Sequence, residues 1–154
     1  MSTTTTLLNG LPPASRDRMM KVATEVFLPA GTRVFEEGQR ADRFWIIRTG
    51  TVVLDLHVPG RRAAAVETLG PGDLLGWSWL LPPYSWHLGA EAKTAVEAVR
   101  FDATIVRALC EADPAFGKAL SLRVAQVVAE RLQNTRVRLL DLYGPYGGEP
   151  GRRV

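Results

Sequence analysis

Pro29-Ala30-Gly31-Thr32-Arg33-Val34-Phe35-Glu36-Glu37-Gly38-Gln39-Arg40-Ala41-Asp42-Arg43-Phe44-Trp45-Ile46-Ile47-Arg48-Thr49-Gly50 is the stretch that decides the fold. Glycines close short runs of β-branched and aromatic residues, and the punctuation continues at Gly60, Gly70 and Gly72. Turn signals every ~8–12 residues with strands between them predict an all-β sandwich or barrel. In Val52-Val53-Leu54-Asp55-Leu56-His57-Val58 the apolar side chains Val52, Leu54, Leu56 and Val58 alternate with Asp55 and His57, which predicts a half-buried strand.

Outward from these strands, over about 24–101, the pattern turns helical. A short helix from Pro12 or Pro13 to about Val22 precedes them. After Asp102 a helix is predicted over about 103–112, then a second over 114–143, because Asp113-Pro114 supplies an N-cap and a first helical residue. Gly144-Pro145 is read as its stop. Residues 1–10 and 144–154 are expected to be flexible, leaving one domain over 11–143. The long helix carries two apolar stripes. Phe116, Leu120, Val124 and Val127 suit a barrel face, and Ala125, Val128, Leu132, Thr135, Leu139 and Leu142 follow spacings of three and four. The second stripe predicts either a homodimer seam over Val128, Leu132, Thr135, Leu139 and Leu142 or, as the alternative, burial of both stripes within one subunit. Arg131 and Arg138 beside it are expected to repel their counterparts across a parallel pair.

Composition narrows the class. Hydrophobic residues make up 46% and charged residues 23% of 154, the balance of a globular chain that folds without staples. The lone Cys110 excludes an internal disulfide, and the start Met1 to Thr6 lacks a signal-peptide pattern, so a cytoplasmic protein is expected. No run of ~18 apolar residues suggests a membrane span. The net charge of +3 lies in residues 121–154, where six arginines face Glu130, Asp141 and Glu149. Thirteen basic and thirteen acidic residues balance in the rest, so no long basic stripe marks a nucleic-acid surface.

The quoted stretch resembles the opening strands of cyclic-nucleotide-binding domains in the catabolite activator protein (Crp/Fnr) superfamily. Leu69-Gly70-Pro71-Gly72-Asp73-Leu74-Leu75-Gly76 is similar to the lead-in to that family's phosphate-binding cassette, and Ala92-Lys93-Thr94-Ala95-Val96-Glu97 to the strand after it. Arg131-Leu132-Gln133-Asn134-Thr135 is similar to the part of the family's dimer helix that reaches the nucleotide base. The resemblance implies a β jelly roll of about eight strands with an N-terminal helix and a long C-terminal helix. It also implies a signalling role and a ligand site built from Gly72, Asp73, Leu74, Leu75, Gly76, Trp77, Ser78, Trp86, His87 and Thr135.

The charged ligands of the family pattern are missing from this site. A cyclic phosphate needs an Arg fork with backbone N–H groups, and the ribose hydroxyl needs a carboxylate. The family places a Glu directly after the cassette glycine and an Arg about ten residues later. Trp77 and Trp86 align with those two positions. The resemblance therefore implies weak or no binding of cyclic AMP and cyclic GMP. Trp77, Trp79, Tyr84 and Trp86 around Pro82-Pro83 form an aromatic cluster that either lines a pocket for a planar or apolar ligand or fills the vacated space.

Two histidines without a nearby carboxylate set do not make a jelly-roll metal site, so no metal is expected. Haem, through His57, His87 or Cys110, is a minor alternative drawn from gas-sensing relatives. No catalytic motif points to an enzyme. Only 11 residues follow Tyr143, so a helix-turn-helix domain and direct DNA binding are not expected. Two function classes remain: a non-enzymatic regulatory or sensory module, and a structural adaptor that dimerises and docks on a partner protein.

Overall fold

The structure is a computed structural model that describes residues 7–60 and 62–147. Helix α1 (Pro13–Lys21) begins at Pro13, where a missing N–H costs nothing, and follows a single 3₁₀ turn at Leu8–Gly10. Eight strands come next: β1 (Thr24–Leu28), β2 (Arg33–Phe35), β3 (Arg43–Thr49), β4 (Val52–Leu56), β5 (Ala64–Leu69), β6 (Leu74–Leu75), β7 (Gly89–Ala92) and β8 (Val96–Asp102). They form two antiparallel four-stranded sheets, ordered β1-β8-β3-β6 and β2-β7-β4-β5. This is the jelly roll expected from the sequence, and the strand count agrees.

Helix α2 (Ala103–Ala112) starts where Asp102 Oδ1 accepts the N–H groups of Thr104 and Ile105 at 2.8 and 3.2 Å. Asp113 caps α3 (Pro114–Gly147) in the same way, accepting from the Phe116 N–H at 3.2 Å. Arg18 of α1 pairs with the Asp113 carboxylate at 3.0 Å, which ties the first helix to the start of the last.

The core lies between the sheets and under α2 and the first half of α3. Phe44 stacks on Trp79 at 4.1 Å and on Phe101 at 4.8 Å, and all three rings are fully buried. Phe116, Leu120, Val124 and Val127 bury the barrel face of α3, as their spacing predicts.

Four expectations need correction. Residues 7–10, expected in a flexible start, are ordered instead, because Leu7 is fully buried and Leu8–Gly10 forms a 3₁₀ turn; residues 1–6 lie outside the described part. Helix α3 runs past Gly144-Pro145 to Gly147, since one missing N–H removes a single bond from a helix whose preceding turns are already formed; residues 148–154 of the expected tail lie outside the described part. The inward row of β4 holds for Val52 and Leu54 and frays at Leu56, which is 40% exposed at the strand end. Asp55, expected to face water, is buried because Arg33 covers it with bonds of 2.6 and 3.2 Å. Those bonds push the Arg33 guanidinium above its ordinary range, with Glu36 adding to the effect of Asp55. Gly89 lies beneath this pair, and a Cβ there would collide with both groups.

Candidate functional site

The candidate site runs from the turn before β6 through the segment between β6 and β7, with the face of α3 above it. Gly72 sits at φ 87° and donates its N–H to the Ile47 carbonyl at 2.7 Å. The Asp73 N–H goes to Gly70 at 3.1 Å, while the Asp73 carboxylate accepts the Gly70 N–H at 2.8 Å. The Gly72 and Asp73 N–H groups are thus already engaged, one by β3 and one within the turn. Leu74 and Leu75 pair with Ile46 and Trp45 in β6 and are fully buried, so both are core side chains.

Gly76 follows at φ 97°, in the left-handed region that glycine tolerates best. A Cβ here would stand 2.6 Å from the Trp86 ring, so the glycine also makes room for the indole. Trp86 is 5% exposed and stacks on Phe35 at 3.9 Å with planes 12° apart. Trp45 lies beyond, its ring centroid 6.4 Å from that of Trp86. Trp79 is fully buried and donates its indole N–H to the Gly76 carbonyl at 3.0 Å. Trp77 sits at the rim, half-buried and stacked on His87 at 5.7 Å. His87 Nδ1 lies 3.2 Å from the Ser78 hydroxyl, which is itself buried.

Tyr84 closes the segment at φ 57°, a conformation that costs a side-chain-bearing residue on the order of 1–2 kcal/mol. The Arg107 guanidinium stands 4.5 Å from its ring centroid and donates to the Trp79 carbonyl at 2.6 Å, holding the turn in place. With these rings in place, the space bounded by Phe35, Gly76, Trp77, Trp86, His87 and Arg131 is a cavity of about 40 Å³. A far larger cleft, about 630 Å³, lies between α3 and strand β5 with the turn that joins β5 to β6.

The predicted site residues divide accordingly. Gly76, Trp77, Ser78, Trp86 and His87 come together around the small cavity. Thr135 does not join them. Its hydroxyl donates back to the Arg131 carbonyl of its own helix at 2.9 Å, and it lines the outer cleft with Asp73. Phe35, Leu54, Leu88 and Arg131 complete the cavity wall. The signal for Arg131 is its place seven residues after Val124 on the barrel-facing line of α3.

Arg131 and Arg138, which flank the second stripe, both reach across to the barrel. Arg131 donates to the Leu74 carbonyl and lies 3.8 Å from Glu67, and Arg138 donates to the Val66 carbonyl. Burial pushes the Glu67 carboxyl above its ordinary range against the pull of Arg131, and burial pushes the Arg131 guanidinium down against the pull of Glu67. On the seam stripe, Leu132, Leu139 and Leu142 are 51%, 53% and 65% exposed, and Thr135 is exposed. Val128 is half-buried and packs on the core, so it serves the barrel as well.

His57, His87 and Cys110 lie on separate elements with separate surroundings. The His57 N–H bonds Glu37 at 2.6 Å, His87 meets Ser78, and burial pushes the Cys110 thiol up. Among the described residues no helix is long and apolar enough to cross a membrane.

Two four-stranded sheets with a glycine-bounded turn facing a long C-terminal helix define a domain of the jelly-roll class. The pattern described as "Cyclic nucleotide-binding domain" matches residues 25–113, and the chain belongs to that family. The CRP-like cAMP-activated global transcriptional regulator of Mycobacterium tuberculosis is 30% identical over 146 residues, which are 95% of this chain and 62% of the regulator. This chain therefore spans less than two thirds of that relative's length. A candidate cyclic nucleotide-binding protein from Geobacter metallireducens has the same fold with a TM-score of 0.72 and 27% identity, over 80% of this chain and 89% of that one. The catabolite activator protein of Thermus thermophilus matches with a TM-score of 0.71 at 24% identity, over 91% of this chain and 63% of that one.

Proposed function

We propose that this chain is a non-enzymatic regulatory module whose barrel site is occupied by its own aromatic side chains and does not take cyclic AMP or cyclic GMP in the usual way. The observation that carries this reading is Trp86, buried at 5% exposure and stacked on Phe35 at 3.9 Å where the resemblance calls for a phosphate-binding Arg. Small-molecule pockets run to about 300–1,000 Å³, and the cavity left here is about 40 Å³. Trp77 in place of the ribose-binding carboxylate removes the second charge-assisted contact. Two such bonds are together worth about 3–6 kcal/mol, or two to four orders of magnitude in affinity.

The exposed leucines of α3 favour the adaptor form of this reading, a homodimer through Leu132, Thr135, Leu139 and Leu142 that docks on a protein partner. A sensor for another ligand would need Trp86 to swing off Phe35 and open the barrel. Calorimetric titration with both cyclic nucleotides tests the proposal. No heat of binding is expected up to millimolar ligand, and a dissociation constant of about 1 µM or tighter, near −8 kcal/mol, would overturn it.

A further inference from the structure

Past Val127 the long helix leaves the barrel. Among the residues of α3 whose burial is described, Val127 is the last buried one, Val128 is half-buried, and every residue from Leu132 to Leu142 is exposed. Between this arm and strand β5 lies the cleft of about 630 Å³, with Asn134 and Thr135 on the helix side and Glu67 and Leu69 on the strand side. Two side chains cross it. Arg131 reaches the Leu74 carbonyl at the start of β6, and Arg138 reaches the Val66 carbonyl in β5. Both lie on the line that Val124 begins, seven residues apart each time, so the barrel-facing stripe changes from apolar side chains to guanidinium groups where the gap opens. Seven residues of helix separate the two anchors by about 10.5 Å along the axis.

The acceptor ends are equally defined. Strand β5 pairs with β4 through Leu54–Glu67 and Asp55–Ala65, so Val66 is the residue the register skips. A bulged residue of this kind has no partner opposite it in the ladder, and Arg138 bonds its carbonyl from the side. Glu67, next in sequence, faces Arg131 at 3.8 Å. One anchor would leave the arm free to pivot about it; two anchors on separate strands fix a direction.

We propose that Arg131 and Arg138 are positioning residues that set the angle of the arm over 132–142 against the barrel, so that the chain itself decides where its exposed leucines point. The inference goes beyond the filled-barrel reading and stands or falls separately from it, because neither guanidinium bond involves Trp86 or Trp77. An aliphatic side chain has no donor for these carbonyls, whereas the flat guanidinium supplies a directional donor at the end of a long stem.

Pulsed electron paramagnetic resonance tests this on the full chain carrying Cys110→Ser, with Leu132→Glu and Leu139→Glu to prevent a second copy from holding the arm. Spin labels are placed at Glu25→Cys on β1 and Arg136→Cys on the exposed side of the arm. The parent should give one narrow distance peak. Arg131→Gln with Arg138→Gln should at least double its width, and Arg138→Gln alone, at an exposed position that leaves the core untouched, should give an intermediate width. A distribution unchanged in the double variant, or already as broad in the parent, overturns the proposal.

Discussion

The indole of Trp86 lies 3.9 Å from the ring of Phe35, centroid to centroid, with the two planes 12° apart. Phe35 ends β2, Trp86 leads into β7, and the two strands are neighbours in one sheet. The stack thus fastens the segment that follows β6 to the inside of the barrel. Gly76 under the indole and Trp45 beyond it complete a packed group in which each member limits the movement of the next.

Removing that ring should leave a cavity. Trp86→Ala is expected to cost about 3–5 kcal/mol, as loss of a packed aromatic does, and Trp77→Ala, at the rim, less than about 1.5 kcal/mol. Denaturant melts of both variants beside the wild type check this. A loss below about 1 kcal/mol for Trp86→Ala would mean that the ring lines an open space instead of filling one.

The arm of α3 predicts assembly. Wild-type protein should sediment as a dimer at micromolar concentration, and Leu132→Glu with Leu139→Glu should weaken the dimer at least a hundredfold, about 2.7 kcal/mol, because two carboxylates would enter an apolar seam. A monomeric wild type, or a double variant that still dimerises, refutes the seam.

Arg33 of β2 braces its own sheet through Asp55 of β4 and also pairs with Glu36, with its shortest contacts at 2.6 Å. Arg33→Met leaves the Asp55 carboxylate covered and unpaired, which should cost about 2–3 kcal/mol. Arg33→Met with Asp55→Leu should recover much of that loss, since both partners of the pair are then gone. If the single variant melts within about 0.5 kcal/mol of wild type, Asp55 has found water or another donor.

Glu67 gives a pH signature of known sign. Its carboxyl is raised above the ordinary value of 4.5, chiefly by burial. The folded protein therefore holds its proton more tightly than the unfolded chain does. The stability this contributes is fully present below pH 4.5 and declines as pH rises through the window between the unfolded and folded values. Glu67→Gln should flatten that decline in melts run from pH 4 to 7. An unchanged slope would place its origin in another group.

The order of elements was legible because it rests on local chemistry. Glycine turns and β-branched runs marked the strands, Asp113-Pro114 marked the start of α3, and the spacing of Phe116, Leu120, Val124 and Val127 marked its barrel face. The exchange of charge for indole at positions 77 and 86 was equally visible, since it depends only on alignment with the family's motif. What Trp86 does with its ring was not visible, because an indole lines a pocket or fills one according to neighbours such as Phe35, 51 residues away in the chain.

Arg131 and Arg138 show the same division. Helical periodicity located them beside the exposed stripe, but a long flexible side chain has many rotamers, and sequence spacing does not choose among them. Only the position of β5 and β6 under the helix, with carbonyl groups within reach, turned both guanidinium groups onto the barrel.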